Sequence, residues 1–186
     1  MLYSIDKITK SVLNTNDSLM IGQKVQAKVQ LVKDYGLILD IVGSSGSMTG
    51  FIVNEQKLKQ DKSYKVGEKI SDLVVLDIDF EKKIVDLSER LTVNEESKQA
   101  KKKDAQQGGF QKAVVELNKE QYLVVSLKAD RSKIGVCVLH GLSAESHSIY
   151  QRYSIGDEID VKVIGSKLAT PEEGKFILTQ PRLQIV

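Results

Sequence analysis

The sequence is poor in the residues that build covalent or metal-based frameworks. Its 186 residues include one Cys, two His, two Pro and no Trp. A single Cys cannot form an internal disulfide, and this usage is typical of a reducing compartment. A zinc site usually needs four protein ligands, and only Cys137, His140 and His147 are of the thiol or imidazole type. We therefore expect no disulfide framework, no metal site and no cofactor.

Charge of one sign and long apolar runs are also scarce. Lys and Arg number 27 and Asp and Glu 25, which gives a formal net charge of +2. This excess is too small for a chain that coats nucleic acid through bulk electrostatics, so any basic surface has to be local. No apolar run approaches the roughly 20 residues of a membrane span, and the first residues lack the apolar core of a secretory signal. These absences predict an intracellular protein with little catalytic equipment.

The composition changes abruptly in the middle of the chain. Residues 95–107, EESKQAKKKDAQQ, contain no apolar side chain except Ala and are followed by two Gly. Such a segment cannot support a hydrophobic core. We therefore predict a first domain at 22–92, a linker at 93–107 and a second domain at 108–186. Residues 1–21 are expected to be an extension or the end of a preceding segment.

The first domain is predicted to consist of strands. VQAKVQLV, at residues 25–32, alternates apolar and polar side chains with the period of a half-buried strand. Further strands are predicted at residues 35–42, 50–53, 69–79 and 83–88. The polar stretch from Asn54 to Tyr64 loses this period, which predicts a short helical connection between strands three and four.

The second half repeats this pattern. A shift of 86 residues places Val29, Leu31, Leu37 and Ile41 on Val115, Leu117, Leu123 and Leu127. Gly67 has a later counterpart in Gly156. A period near 90 residues is too long for a solenoid unit and indicates a duplicated small domain. Five short strands with one helical connection predict an all-β chain of two tandem five-stranded OB-fold barrels.

Glycines, valines and one aromatic residue follow a defined order along the first repeat. They are Gly22, Val25, Val29, Tyr35-Gly36, Gly50, Gly67, Asp79 and Leu87-Ser88. With this order and spacing the chain resembles the S1-domain family of RNA-binding OB-folds, well over residues 22–90 and weakly over 108–182.

The tandem arrangement, the charged linker and the segments VKDYGLILDI and FEKKIVDLSER resemble a narrower group. They are similar to the multi-repeat eukaryotic proteins of ribosomal RNA processing. This resemblance implies a piece of a longer nucleolar protein, with ribosomal RNA and pre-ribosomal proteins as partners. The isolated chain is expected to be a monomer.

Binding of single-stranded RNA needs an aromatic side chain for stacking and cations for phosphate. Tyr35 is the candidate platform, with Lys33 beside it and Lys82 and Lys83 on a hairpin that the fold is expected to bring near. The alternative for Tyr35 is a plain tyrosine at the barrel rim. Phe51 is the aromatic residue of strand three, and alternation leaves open whether it joins this surface or faces the core.

Strand one and the end of strand four supply further candidates. Lys24 and Lys28 lie on the polar side of strand one and are candidates for phosphate contact, with a solvated strand face as the alternative. For Asp79 the S1 resemblance implies a polar contact near the bound nucleotide. Asp77 and Glu81 alternate with Asp79, but no further ligand is recognisable, so we do not expect a divalent metal there.

The second repeat has lost most of these features. Gln121 stands at the position of the aromatic platform and Tyr122 at that of the following Gly. Cys137 lies in an apolar strand and is expected to be a buried, unreactive side chain. Arg131 is left as one of a few scattered cations, together with Lys133 and Arg152. This copy is expected to bind nucleic acid poorly.

The leading hypothesis is a non-catalytic module in which the first repeat binds single-stranded RNA weakly and the second serves as a spacer. The alternative is that both repeats are protein-interaction or spacer domains of a pre-ribosomal assembly without direct RNA contact. An enzymatic function has no support, because no nucleophile, base and orienting group can be assigned together.

Overall fold

The structure is a computed structural model that describes residues 19–42, 48–59, 61–91, 109–139, 144–166 and 177–181. The chain divides into two compact units, residues 1–92 and 93–186. The predicted linker, most of the predicted N-terminal extension and His140 lie outside the described residues. Among the described residues, no helix is long and apolar enough to cross a membrane.

The first unit is a closed barrel of five strands. Its elements are β1 (Lys24–Lys33), β2 (Gly36–Ile41), β3 (Thr49–Val53), a 3-10 helix (Asn54–Gln56), β4 (Lys69–Asp79) and β5 (Ile84–Ser88). The strands are paired in the order β1-β2-β3-β5-β4, and β4 returns to β1. Only the β3-β5 pair is parallel. This arrangement is consistent with the OB-fold, and the short helical connection lies after β3 as the sequence predicts.

The barrel core is formed by the apolar side of the alternating pattern. The fully buried side chains include Ala27, Leu37, Leu39, Ile52, Leu73, Val75 and Val85. Polar residues of β1 such as Gln26 and Lys28 are exposed. Burial alternates along β1, β2 and β3, which have one apolar side, whereas β4 and β5 are buried on both sides over most of their length.

The described residues of the second unit form a curled five-stranded sheet and one α-helix. Its elements are β6 (Phe110–Asn118), β7 (Tyr122–Leu127), β8 (Asp130–Val138), α1 (Ala144–Gln151), β9 (Glu158–Ser166) and β10 (Ile177–Pro181). The strands follow the order β10-β8-β7-β6-β9, and β10 pairs with both β8 and β9. The β8-β10 pair is parallel, like β3-β5. The all-β class of the chain is confirmed, with helix limited to α1 and to 3-10 turns at Asn54–Gln56 and at residues 90–91 among the described residues.

The two units share backbone details that show the internal repeat. Each unit has a glycine with positive φ shortly before its fourth strand, Gly67 at 89° and Gly156 at 100°. In both units, a valine of the first strand exchanges two backbone hydrogen bonds with this glycine and the residue after it. The distances are 2.8 Å for Val29 to Glu68 and for Gly67 to Val29, 2.9 Å for Val115 to Asp157, and 2.8 Å for Gly156 to Val115. The valine and glycine equivalences predicted from the sequence are therefore correct.

Gly36 begins β2 at a place where the backbone of β3 leaves no room for a side chain. A Cβ atom built on Gly36 would lie 2.1 Å from the carbonyl oxygen of Ile52, and its φ is 156°. The absence of a side chain therefore allows the turn before β2 to lie directly against the end of β3.

We expect Gly36→Ala to destabilise the first unit by at least about 1 to 3 kcal/mol, because backbone atoms of β3 would have to move. The matched control is Gly109→Ala, since no atom lies within 4 Å of a Cβ at that position. Urea unfolding followed by circular dichroism measures the difference. Equal unfolding midpoints for the two variants would contradict this account of Gly36.

Candidate nucleic-acid interface

The turn between β1 and β2 presents Tyr35 to solvent. Lys33 pairs with Gly36 across this turn, so Asp34 and Tyr35 are the two turn residues. The sequence predicted that strand two begins at Tyr35, whereas β2 begins at Gly36. We call Lys33–Gly36 the Tyr35 turn. The side chain of Tyr35 is 58% exposed, and its ring centroid lies 5.9 Å from that of Phe51 with an angle of 52° between the planes. The two aromatic residues therefore form one surface.

Phe51 faces outward, which settles the alternative that the sequence left open. Its neighbour Ile52 is completely buried in the core, whereas Phe51 is half-buried and lies opposite Ile38 of β2. Tyr35, Ile38 and Phe51 make up what we call the aromatic face. Leu31, which pairs with Ile38 and is 47% exposed, extends it. An open aromatic surface on an OB-fold strand pair can stack unpaired bases.

Hydrogen bonds hold the Tyr35 turn against the segment that follows β3. The backbone N–H of Asn54 donates to the carbonyl of Tyr35 at 3.2 Å, and the Asn54 side-chain amide donates to the carbonyl of Asp34 at 2.5 Å. Lys57 donates from Nζ to Oδ1 of Asn54 at 2.6 Å. The sequence analysis missed Asn54 and Lys57. The only signal was a polar residue directly after a predicted strand, which is common in any loop.

Lys82 and Lys83 lie at the other end of β3 from Tyr35. The N–H of Thr49 donates to the carbonyl of Lys83 at 2.8 Å, whereas the Tyr35 turn meets Val53. These two β3 residues are four positions apart, which is roughly 13 Å along a strand. The expectation that the fold brings the lysine hairpin beside Tyr35 is therefore wrong, because β3 and β5 are parallel and pair from the Thr49 end.

Asp79 organises this hairpin. Its Oδ1 accepts a hydrogen bond from the backbone N–H of Lys82 at 2.9 Å, and its Oδ2 lies 3.4 Å from Nζ of Lys82. The backbone hydrogen bond, supported by the Lys82 side chain, lowers the pKa of Asp79 below its usual value. Lys82 is thus partly neutralised, whereas Lys83 is exposed and makes no ion pair with any described carboxylate. Lys83 also ends the turn with a positive φ of 55°.

The lysines of β1 are distributed along the strand. Lys33 is adjacent to Tyr35, but Lys28 lies opposite Asp40, and Lys24 pairs with Val74 near the other end of β1. The candidate cations therefore do not gather around Tyr35. Within the described segments of the chain, no group of three or more His, Cys, Asp or Glu could hold a metal ion.

The corresponding surface of the second unit is different. Gln121 occupies the position of Tyr35, since the N–H of Leu139 donates to its carbonyl at 3.0 Å as Asn54 does to Tyr35. Val124, Ser126 and Val136 alternate with core residues and so lie on the outer side of β7 and β8, yet they are at most 2% exposed. These three outer positions are therefore not accessible to a ligand. Cys137 is buried and pairs with Leu123 as Ile52 pairs with Leu37.

A buried ion pair replaces the exposed polar side chains found in the first unit. Register shifts occur between Val29 and Leu31 in β1 and between Val115 and Leu117 in β6, so Gln30 and Glu116 are equivalent. Gln30 is exposed, whereas Glu116 is completely buried and accepts hydrogen bonds at 2.5 Å from Ser126 Oγ and from the guanidinium of Arg131. Arg131 is therefore occupied by Glu116, which leaves it a poor phosphate ligand.

Residues 92–183 match the family model described as the RRP5 OB-fold domain. This match covers the second half of the chain. The family prediction is confirmed for this half, although the sequence resemblance was stronger over residues 22–90. The RRP5-type domain includes the curled sheet with α1 and the Glu116–Arg131 pair.

Two solved structures illustrate the wider similarity. The intact α subunit of aIF2 from Pyrococcus abyssi is 25% identical, with a TM-score of 0.31 over 36% of this chain and 26% of that one. A multidomain protein with nucleic acid binding domains from Streptococcus pneumoniae TIGR4 is 14% identical, with a TM-score of 0.32 over 91% of this chain and 54% of that one. The chain thus spans about a quarter and about half of these proteins, and such TM-scores carry no functional argument. No curated protein matches the sequence.

We expect Arg131→Ala to destabilise the RRP5-type domain by about 3 to 5 kcal/mol, because the buried carboxylate of Glu116 would lose the cation that compensates its charge. The matched control is Lys133→Ala, since Lys133 contacts Asp130 at 3.9 Å in a half-exposed pair that contributes less than about 1 kcal/mol. Thermal unfolding of both variants measures the effect. The double variant Glu116→Gln, Arg131→Met should recover part of the loss, and a neutral Arg131→Ala would show that the pair is unimportant.

Proposed function

We propose that this chain is a non-catalytic RNA-binding module whose first unit binds single-stranded RNA weakly. The observation that carries the proposal is the aromatic face, on which Tyr35 is 58% exposed and in ring contact with Phe51. Base stacking on such a side chain contributes about 1 to 3 kcal/mol per base. Lys33 at one end of the face and Lys83 at the other would contact phosphates along one path across β3.

The charges around the aromatic face support weak rather than tight binding. Asp34 is part of the Tyr35 turn, Asp86 pairs with Phe51 across β3 and β5, and Asp40 lies opposite Lys28. Each carboxylate offsets part of the attraction for phosphate. We expect dissociation constants on the order of 1 to 100 µM, the range of non-specific nucleic-acid binding. Linkage to further repeats in a longer protein would raise the overall affinity through effective concentration.

The wider setting proposed for this module is ribosome biogenesis. The support is the match of the second half to the RRP5 OB-fold domain and the sequence resemblance of the tandem pair to multi-repeat ribosomal RNA-processing proteins. We assign the module to the nucleolus, with pre-ribosomal RNA and proteins as partners, and to a scaffolding function without catalysis. The RRP5-type domain, in which the outer positions Val124, Ser126 and Val136 are buried, is the spacer or protein-contact part.

Tyr35→Ala tests stacking. We expect this change to weaken binding of a fluorescein-labelled 12-residue oligouridylate by about 5- to 150-fold, the equivalent of one lost stacking contact. The matched control is Gln121→Ala at the equivalent exposed position, which should bind like the unchanged chain. Fluorescence anisotropy at low salt measures both. If the unchanged chain does not bind, or if Tyr35→Ala binds as well, the protein-interaction alternative replaces the RNA-binding proposal.

Lys82 and Lys83 provide a matched pair for the phosphate contacts. For single strands, each phosphate contact contributes about 0.7 to the slope of log K against log salt concentration. We expect Lys83→Gln to lower the slope by about this amount, and Lys82→Gln to lower it less, because Lys82 is already paired with Asp79. Titrations at 50, 100 and 200 mM salt, about the range used for such slopes, measure the difference. A larger effect of Lys82→Gln would contradict the proposed path.

A further inference from the structure

Asn54 links the Tyr35 turn to one particular cation. It donates from its backbone to Tyr35 and from its side chain to Asp34, and its remaining side-chain oxygen accepts a hydrogen bond from Lys57. The orientation of the amide is defined by these contacts, since only the nitrogen can donate to a carbonyl and only the oxygen can accept from an ammonium. The Lys57 ammonium is therefore two hydrogen bonds away from the backbone of Tyr35.

The charge of Lys57 is available to an anion. Its hydrogen-bond partner is a neutral amide, and it forms no ion pair with a carboxylate in the part of the chain that the structure describes. Lys62, in the same connecting segment, differs because it contacts Glu68 at 3.2 Å and Glu89 at 3.5 Å. An ammonium has three N–H donors, and the bond to Asn54 uses one of them.

Lys57 is also held in place before any ligand arrives. Its side chain is half-buried, with Nζ 5.5 Å from the ring centroid of Tyr64 in addition to the bond with Asn54. The Tyr64 hydroxyl in turn donates a hydrogen bond to buried Glu89, which fixes the ring. A cation that is already ordered loses less conformational entropy on binding than a free surface lysine.

We infer that Lys57 binds the phosphate next to the base stacked on Tyr35, and that Asn54 is the positioning residue that holds Lys57 and the Tyr35 turn together. This inference rests on the RNA-binding function proposed above and adds a phosphate contact at the Tyr35 end of the aromatic face. The ligand group is a phosphodiester of single-stranded RNA. Lys33 and Lys57 then belong to the same end of the path, and Lys83 to the other.

Lys57→Gln removes the charge and keeps a donor for Asn54. We expect the salt slope for the labelled 12-residue oligouridylate to fall by about 0.7, and the affinity at 50 mM salt to fall roughly five- to tenfold. The matched control is Lys59→Gln, two residues further along an exposed part of the same segment, which should leave both quantities unchanged. The full chain and fluorescence anisotropy are used throughout.

Asn54 is tested by two changes with different signatures. Asn54→Asp places a carboxylate on Lys57, so it should lower the salt slope as Lys57→Gln does. Asn54→Ala keeps every cation, so it should lower affinity with the slope unchanged. Its effect should shrink in a Tyr35→Ala background, because the turn that Asn54 positions then carries no ring for stacking. Additive effects of Asn54→Ala and Tyr35→Ala would overturn the positioning role.

The outcomes separate this inference from the proposed function. If Tyr35→Ala weakens binding while Lys57→Gln behaves like Lys59→Gln, the Lys57 site is wrong and the RNA-binding function stands. If Tyr35→Ala has no effect, the RNA-binding function fails, and the Lys57 site fails with it. A loss for Lys57→Gln and Asn54→Asp, with none for Lys59→Gln, supports the inference.

Discussion

The close approach of Gly36 to β3 is the constraint on which the candidate interface depends. Because Gly36 has no side chain, the Tyr35 turn can lie on the carbonyl of Ile52. In this arrangement the ring of Tyr35 is in contact with that of Phe51. The second unit has Tyr122 at the equivalent strand position. On the outer side of its first strand, the buried Glu116–Arg131 ion pair takes the place of the exposed Gln30 of the first unit.

The two units share the features of their barrel scaffold and differ in the residues of their outer surface. The paired backbone bonds around Gly67 and Gly156, the register shift in the first strand and the parallel final pairing are common to both. These features depend on backbone geometry and on inward aliphatic side chains, which tolerate exchange within that class. The outward positions are under no such constraint. One unit therefore carries an open aromatic face, and the other carries closed aliphatic and ionic contacts on the same strands.

Much of the fold and part of the candidate interface could be predicted from the sequence. Alternation of apolar side chains located the strands, and the shift of 86 residues paired Val29 with Val115 correctly. Tyr35 was selected by its place in the ordered glycine pattern. Phe51 could not be oriented, because a five-residue strand that contains Gly50 shows too few alternations. Asn54 and Lys57 were missed because their importance comes from contacts with a turn about 20 positions earlier in the chain, which short-range patterns do not contain.

By itself, the sequence determined the class of protein: alternating aliphatic residues and repeated glycines define two small all-β units with few aromatic side chains and little net charge. Local patterns are enough for this, because strands such as β1 alternate buried and exposed side chains. Only the tertiary structure decided which charges lie near which aromatic residue. The parallel pairing of β3 with β5 separates Lys83 from Tyr35, and the bonds of Asn54 bring Lys57 close. Strand register and pairing are long-range properties, so neighbouring residues alone do not specify them.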